Sequence, residues 1–358
     1  MGAHHSLVGW YPLRATAARV FGPDDVWCPF MGESTSSECV EAMTLRRAEA
    51  ILGIAHEFES GVAPRDLLDL LPDGTLWDLS KLRHLLERSG MPLSWADGRV
   101  FVGENPPSAH QQDHRTRRAQ ENWDSVQREV PRVLDGVLPV LRSLSVTGSL
   151  AFGESSEKDD VDFFAIARRG GVWLFLFLTY VAARIRRTRP GPVWCFNTVL
   201  EEEVAVRELS KPLGFVMARE ILMARSLWGT DYYVHLLQRA DWIRREIPRL
   251  YEARLGSAPP PSVSPTGAAA MPWPLRALNA AIFPFLATYL QLVGLLRNWR
   301  FRRGGRASEL FRTHTRYREM RFTSSKFEQI LQRGEGASVI PPQLGSRHRG
   351  ESGPDPSR

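Results

Sequence analysis

Apolar residues begin to recur at helical spacing from Thr44. In TLRRAEAILGIAHEF, Leu45, Ala48, Ile51, Leu52 and Ala55 share one face, which predicts a helix with a buried side. APRDLLDLL (63–71) predicts a second, short helix with Pro64 near its start. TLWDLSKLRHLLERSG (75–90) predicts a third, ended by Gly90. The period then changes to two: MPLSWADGRVFVGE alternates about Asp97-Gly98, the strongest hairpin signal in the chain. NPPSAHQQDH (105–114) reads as a polar linker before an amphipathic helix from Arg115 to Leu134. SLSVTGS and DDVDFFAIA read as strands on either side of a polar gap. A helix over 172–187, a strand over 192–200 (PVWCFNTVL) and helices through 214–254 follow.

These elements divide the chain. Residues 1–42 have no sustained period and read as a loose extension. Residues 43–104 hold three helices and a hairpin, the order of a winged helix, a motif that often places its third helix in the DNA major groove. Here that helix sets Lys81, Arg83, His84 and Arg88 against Asp78 and Glu87. DNA contact through residues 75–102 is therefore weighed against a plain docking or dimerising module. Residues 115–254 form the central domain, 255–274 a Pro/Ser-rich linker, 275–333 a basic helical block, and 334–358 a tail expected to be disordered.

Composition narrows the options. A chain of 358 residues, 43% of them hydrophobic, has enough apolar material for two or three domains. Cys28, Cys39 and Cys195 have no CxxC spacing, so they suggest neither a disulfide framework nor a zinc site, a Cys28–Cys39 bridge being the one pairing open. The nine histidines show no HxH or HExxH spacing. Net charge is +6 and nearly all of the basic charge is arginine, as GC-rich coding would produce, so basicity alone says little about nucleic acid. No secretory signal core opens the sequence, and a cytoplasmic protein is expected, with membrane association as the alternative. VWLFLFLTYVAA (172–183) is too short to span a bilayer. LNAAIFPFLATYLQLVGLL (278–296) is near the lower limit, carries Asn279, Pro284 and Gln291, and precedes RNWRFRRGGR. It is expected to be a buried helix of a soluble protein, with peripheral membrane contact through 278–303 as the alternative.

The candidate chemistry lies in VTGSLAFGESSEKDDVDFFAIA (146–167). A strand ending at Thr147 meets Gly148, which permits a sharp bend, and Ser149, which can open a short helix with its N–H groups and hydroxyl facing a phosphate. Ten residues further on, Asp160 and Asp162 alternate with core positions of a strand and point the same way. Two neighbouring carboxylates repel unless a cation lies between them, and Mg²⁺ (or Mn²⁺) suits a site of one or two carboxylates completed by water and substrate phosphate.

Gly-Ser, ten residues, then Asp-hydrophobic-Asp-hydrophobic resembles the signature of the polymerase-beta-like nucleotidyltransferase superfamily. With the preceding module, and with CFNTVLEEE, AREI and DWIRREIP after it, the chain is similar to uncharacterised prokaryotic nucleotidyltransferase-domain proteins. The resemblance implies an α+β fold, a small mixed-sheet nucleotidyltransferase core flanked by helices, with an N-terminal winged-helix-like module and a helical C-terminal block. It implies Mg²⁺-dependent transfer of a nucleoside monophosphate from a nucleoside triphosphate to an acceptor hydroxyl on RNA, protein or a small molecule. Asp160 and Asp162 would hold the metal, and Gly148 and Ser149 the phosphates.

One feature departs from that pattern. Family members commonly carry a third carboxylate on the next strand, where this chain has Asn197, an amide and a poor base. Glu201, Glu202 or Glu203 could supply an acid from the end of that strand, although a solvated turn is the plainer reading. Lys158 could reach the triphosphate, or could simply stand on the surface beside Asp159. The departure keeps a second function open: a non-catalytic DNA-binding regulator or scaffold with a degenerate transferase core. In the C-terminal block, Arg300, Arg302, Arg312 and Arg321 alternate with Trp299, Phe311 and Phe322, suited to RNA, nucleotide phosphates or anionic lipid, or to a solvated helical face.

Overall fold

The computed structural model describes residues 37–72, 77–156, 159–186, 193–256, 270–304 and 310–338. The chain divides into two compact units, residues 1–42 and 43–358. Most of the N-terminal extension, Cys28, Lys158 and most of the Pro/Ser-rich linker lie outside the described residues.

Helices α1 (Ser37–Glu57), α2 (Pro64–Asp69) and α3 (Leu79–Arg88) precede the hairpin β1 (Leu93–Ala96) and β2 (Arg99–Val102). Val62, between α1 and α2, adds an antiparallel bridge to Val100. Asp97 and Gly98 both take positive φ at the hairpin turn, the backbone that an Asp-Gly pair tolerates. On α3, Leu82, Leu85 and Leu86 are buried. The exposed Arg83 is engaged by Glu87 at 2.9 Å and lies over the Trp95 ring.

Helix α4 (Ala109–Leu134) starts six residues before the expected Arg115. The cause is a capping box: the Ser108 hydroxyl accepts from the Gln111 N–H, and the Gln111 side chain accepts from the Ser108 N–H. A short 3₁₀ turn leads into β3 (Leu141–Thr147), α5 (Gly148–Ala151), β4 (Val161–Ala167), α6 (Val172–Arg186) and β5 (Trp194–Glu201). Helices α7 (Glu202–Leu209) and α8 (Phe215–Met223) lead to β6 (Arg225–Trp228), then α9 (Thr230–Gln238), α10 (Asp241–Glu246) and α11 (Pro248–Leu255). Helix α12 (Trp273–Arg303) is followed by strands β7 (Phe311–Arg316) and β8 (Glu319–Ser324) and by α13 (Ser325–Glu335).

Six strands form one sheet in the order β6-β3-β4-β5-β8-β7. Among the described strands only β4 and β5 are parallel, joined by the crossover helix α6, so the sheet is mixed. Both faces are covered. Val161, Phe163 and Ala165 of β4 point into a cluster with Trp173 and Phe175 of α6 and Val126 and Val130 of α4. Ile166 and Leu200 point the other way, into a cluster with α1, α8 and α10.

Three expectations change here. The C-terminal block is not wholly helical: β7 and β8 pair with each other, and β8 pairs with β5 through Thr198, Val199 and Leu200. The central sheet is thus completed by residues far beyond 254. Strand β6, inside a stretch read as all helix, pairs with β3. The expected tail also starts too early, since α13 runs to Glu335, Ala337 is buried, and the Ser338 hydroxyl accepts from the Phe215 N–H.

A buried ion pair ties the distant segments together. Arg47 of α1, fully buried, donates to the Glu246 carboxylate at 2.8 Å and to the carbonyls of Glu246, Leu70 and Ala337, and stacks over Phe215. Burial, ahead of the opposing pull of Glu246, lowers its guanidinium to about 10, still charged at neutral pH.

Candidate active site

The bend after β3 and the start of β4 meet. Thr147 is the register partner of Asp162 across the antiparallel β3–β4 pair, and Gly148, with φ +68°, turns the chain directly over that aspartate. A Cβ at position 148 would lie 2.6 Å from Asp162 Oδ2, so only glycine fits the backbone this close. Asp160 immediately precedes β4, and alternation about Val161 sets Asp160 and Asp162 on the side away from the Phe163 core.

Asn197 joins them through a break in strand register. Phe163 pairs with Phe196 and Phe164 with Thr198, leaving Asn197 as the extra residue of β5. Such a bulge re-aims a side chain. Here Asn197 Nδ2 donates to Asp162 Oδ1 at 2.6 Å, while Asn197 Oδ1 accepts from the Cys195 thiol at 2.9 Å. The thiol fixes the amide orientation. Burial, with the negative charges of Asp162 and Asp160, pushes Cys195 up to about 12, so it stays a donor.

Helix α8 supplies a further acid. The Glu220 carboxylate accepts the Gly148 N–H and lies within electrostatic range of Asp162. The Ser149 hydroxyl donates to Asp159 at 3.3 Å, and Asp159 also accepts from the Ser156 N–H and hydroxyl. Both groups expected to hold phosphate are therefore engaged by carboxylates.

The electrostatics follow from this crowding. Burial pushes the Asp162 carboxyl up to about 7, against the Asn197 hydrogen bond and reinforced by Asp160, Glu220 and Asp159. Asp160, open to solvent, is raised by what burial it has and by Asp159, while Arg297 opposes. Burial also raises Glu220, against Arg219 and the Gly148 N–H. Among the described residues neither Asp160 nor Asp162 has a salt-bridge partner. Nor do three His, Cys, Asp or Glu side chains gather at metal-ligand geometry. A pair of under-compensated carboxylates beside open solvent fits a hydrated Mg²⁺ that takes two protein ligands.

Of the residues expected at the site, Gly148, Ser149, Asp160, Asp162 and Asn197 come together. Glu201 does not. It pairs with Ala167 at the far end of β4, where it is buried, accepts the Gly170 N–H and faces Arg318 at 3.5 Å. Glu202 and Glu203 are likewise spoken for, by Arg142 at 2.7 Å and Arg318 at 2.9 Å. Glu220, Asp159 and Arg297 were not expected. Asp159 stands beside the motif, but no spacing rule links Glu220 or Arg297 to it.

Comparisons with protein-family models, with curated proteins and with solved structures each gave no match. The likeness to nucleotidyltransferases therefore rests on the sequence alone, chiefly on its Gly-Ser and Asp-Val-Asp motif.

Proposed function

We propose that the chain is an Mg²⁺-dependent nucleotidyltransferase. The carrying observation is the glycine bend held against Asp162, with Asp160 beside it and, among the described residues, no cationic side chain paired to either. Asp160 and Asp162 would hold the ion, which when bound supplies charge neutralisation to a triphosphate. Gly148 and Ser149 would orient the phosphates once Glu220 and Asp159 release the N–H and the hydroxyl. An acceptor hydroxyl would bond to the α-phosphorus as pyrophosphate and the hydroxyl proton depart. The protein contributes alignment and fixed charge. Asn197 would act as a positioning residue, holding Asp162 through its amide.

The test is nucleotide binding with Mg²⁺, by calorimetry, in the full chain and in the Asp160→Asn, Asp162→Asn double variant. The reading expects binding in the first and at least a tenfold loss in the second. Equal affinity in both would overturn it.

A second reading, a DNA-binding regulator with a degenerate core, has two observations in its favour. The phosphate-facing groups are already occupied by carboxylates, and the Val62 bridge adds a third strand position to the α1–β2 module. Salt-dependent retention on duplex DNA, lost in Arg83→Ala, Arg88→Ala, would support it. Absence of retention at low salt would remove it.

A further inference from the structure

Helix α12 carries no acidic residue in its 31 positions and no charge at all from Ala277 to Leu296. One face is held by the domain. Asn279 Oδ1 accepts the N–H groups of Trp173 and Leu174, Gln291 donates to the Thr315 hydroxyl, and Asn298 bonds both the N–H and the carbonyl of Phe311. Ile282, Phe283 and Leu286 pack against the core on the same side. The expectation of a buried helix fails on the other side. Leu278, Phe285, Tyr289, Leu292, Leu296 and Trp299 recur at helical spacing there, with Phe285 78% and Leu296 59% exposed. Phe177, Tyr180 and Ile185 of α6, the helix that α12 packs against, are exposed as well. A helix apolar on both sides is ordinarily covered on both.

Charge indicates what covers it. Arg297, Arg300, Arg302 and Arg303 end the helix, and among the described residues no carboxylate lies within salt-bridge distance of them. The arginines of the following hairpin are paired: Arg312 with Glu328, Arg318 with Glu203, Arg321 with Glu319. A second copy of this face would bring apolar side chains and more arginine, with no acid to neutralise either set. An anionic bilayer offers acyl chains to the stripe and phosphates to the arginines. Trp273, 73% exposed, and Trp299, 50% exposed, lie near the helix ends and suit the headgroup boundary.

We propose that α12 docks in the plane of an anionic membrane, its outward stripe in the acyl boundary and its terminal arginines on lipid phosphate. By length and composition the helix could cross a bilayer. Crossing, however, would strip Asn279, Gln291 and Asn298 of their partners and uncover the edge strand β7, so the contact is peripheral. Arg297, at the charged end, is also a cation within electrostatic range of Asp160. Docking thus sets the carboxylate pair at the lipid surface and favours an acceptor that resides there. This last step rests on the transferase reading; the docking does not.

Flotation of the full chain with phosphatidylcholine vesicles, with and without phosphatidylglycerol, tests the proposal. Flotation with the anionic vesicles, about tenfold weaker with neutral ones, and release by alkaline carbonate are expected. Phe285→Glu, Leu292→Glu, at exposed positions, should abolish flotation while leaving the circular dichroism spectrum unchanged. Arg300→Gln, Arg302→Gln, Arg303→Gln should remove the preference for anionic lipid. Failure to float with anionic vesicles overturns docking. So does a dimer in light scattering that Phe285→Glu, Leu292→Glu dissociates, which would make a second copy the occupant. Resistance to carbonate would show a spanning helix and overturn the peripheral geometry.

Discussion

Gly148 stands against Asp162 with no room for a methyl group between them: a side-chain carbon at 148 would meet Oδ2 at 2.6 Å. That glycine also holds φ at +68°, a conformation that costs an L-residue about 1–2 kcal/mol. Gly148→Ala should therefore lower the thermal midpoint by several degrees and weaken Mg²⁺ binding, because the aspartate must move to admit the methyl. Differential scanning fluorimetry with and without the metal reads both effects. An unchanged metal response would mean that the contact does not position Asp162.

The raised Asp162 carboxyl predicts a pH dependence with a definite sign. Its folded value of about 7 lies above its ordinary 3.8, so between these limits the folded chain keeps a proton that the unfolded chain has released. This group's contribution is greatest below the lower value, declines as pH rises through the folded value, and is constant above it. Metal binding runs the other way, since the ligand must be ionised: Mg²⁺ affinity should climb from about pH 5.5 and level off above about pH 7.5. The metal-induced rise in thermal midpoint measures this directly, and in Asp162→Asn it should be small and flat with pH.

Asn197 donates to Asp162 at 2.6 Å from a bulged position, so Asn197→Asp would set a third carboxylate within hydrogen-bonding range. Without metal the variant should be less stable by roughly 1–3 kcal/mol, from like-charge repulsion and a lost donor. With Mg²⁺ or Mn²⁺ the order should reverse, with at least tenfold tighter binding. Titration calorimetry of both proteins decides the matter: equal metal affinity would mean that position 197 does not face the ion.

Arg47 is surrounded by partners that the sequence separates widely, including Glu246 and the carbonyl of Ala337. Removing one member of a buried pair leaves an uncompensated charge, so Arg47→Met should cost about 3–5 kcal/mol. Arg47→Met, Glu246→Leu should recover much of that loss. Urea unfolding of the single and double variants gives the coupling, and additivity would deny it.

The sequence carried most of the site and part of the sheet. Gly148, Ser149, Asp160 and Asp162 were legible because short-range rules govern them: a bend at glycine and alternation along a strand. The β7–β8 hairpin was also written in FRTHTR, where Phe311, Thr313 and Thr315 alternate in burial with Arg312, His314 and Arg316. Its arginine density conceals that period, which is why the sequence suggests a basic helical block there. Nothing local could foretell the bulge at Asn197, which exists only as a mismatch between β4 and β5. Glu220 was hidden for the same kind of reason: its place beside Gly148 depends on how α8 packs over the sheet. The expectation that α12 is buried fails differently, since an apolar stretch looks the same whether the fold covers it or leaves it exposed.

Because β8 closes the open side of β5, the central sheet cannot be finished until Glu319–Ser324, far downstream of β5, have been synthesised. Throughout synthesis the strand bearing Asn197 would present bare amides and carbonyls, the feature that recruits unwanted strands. Cutting the gene after the Pro/Ser-rich segment would therefore yield not a minimal catalytic fragment but a sticky one. Expression of residues 37–338 keeps every described strand paired and the first and last described helices whole.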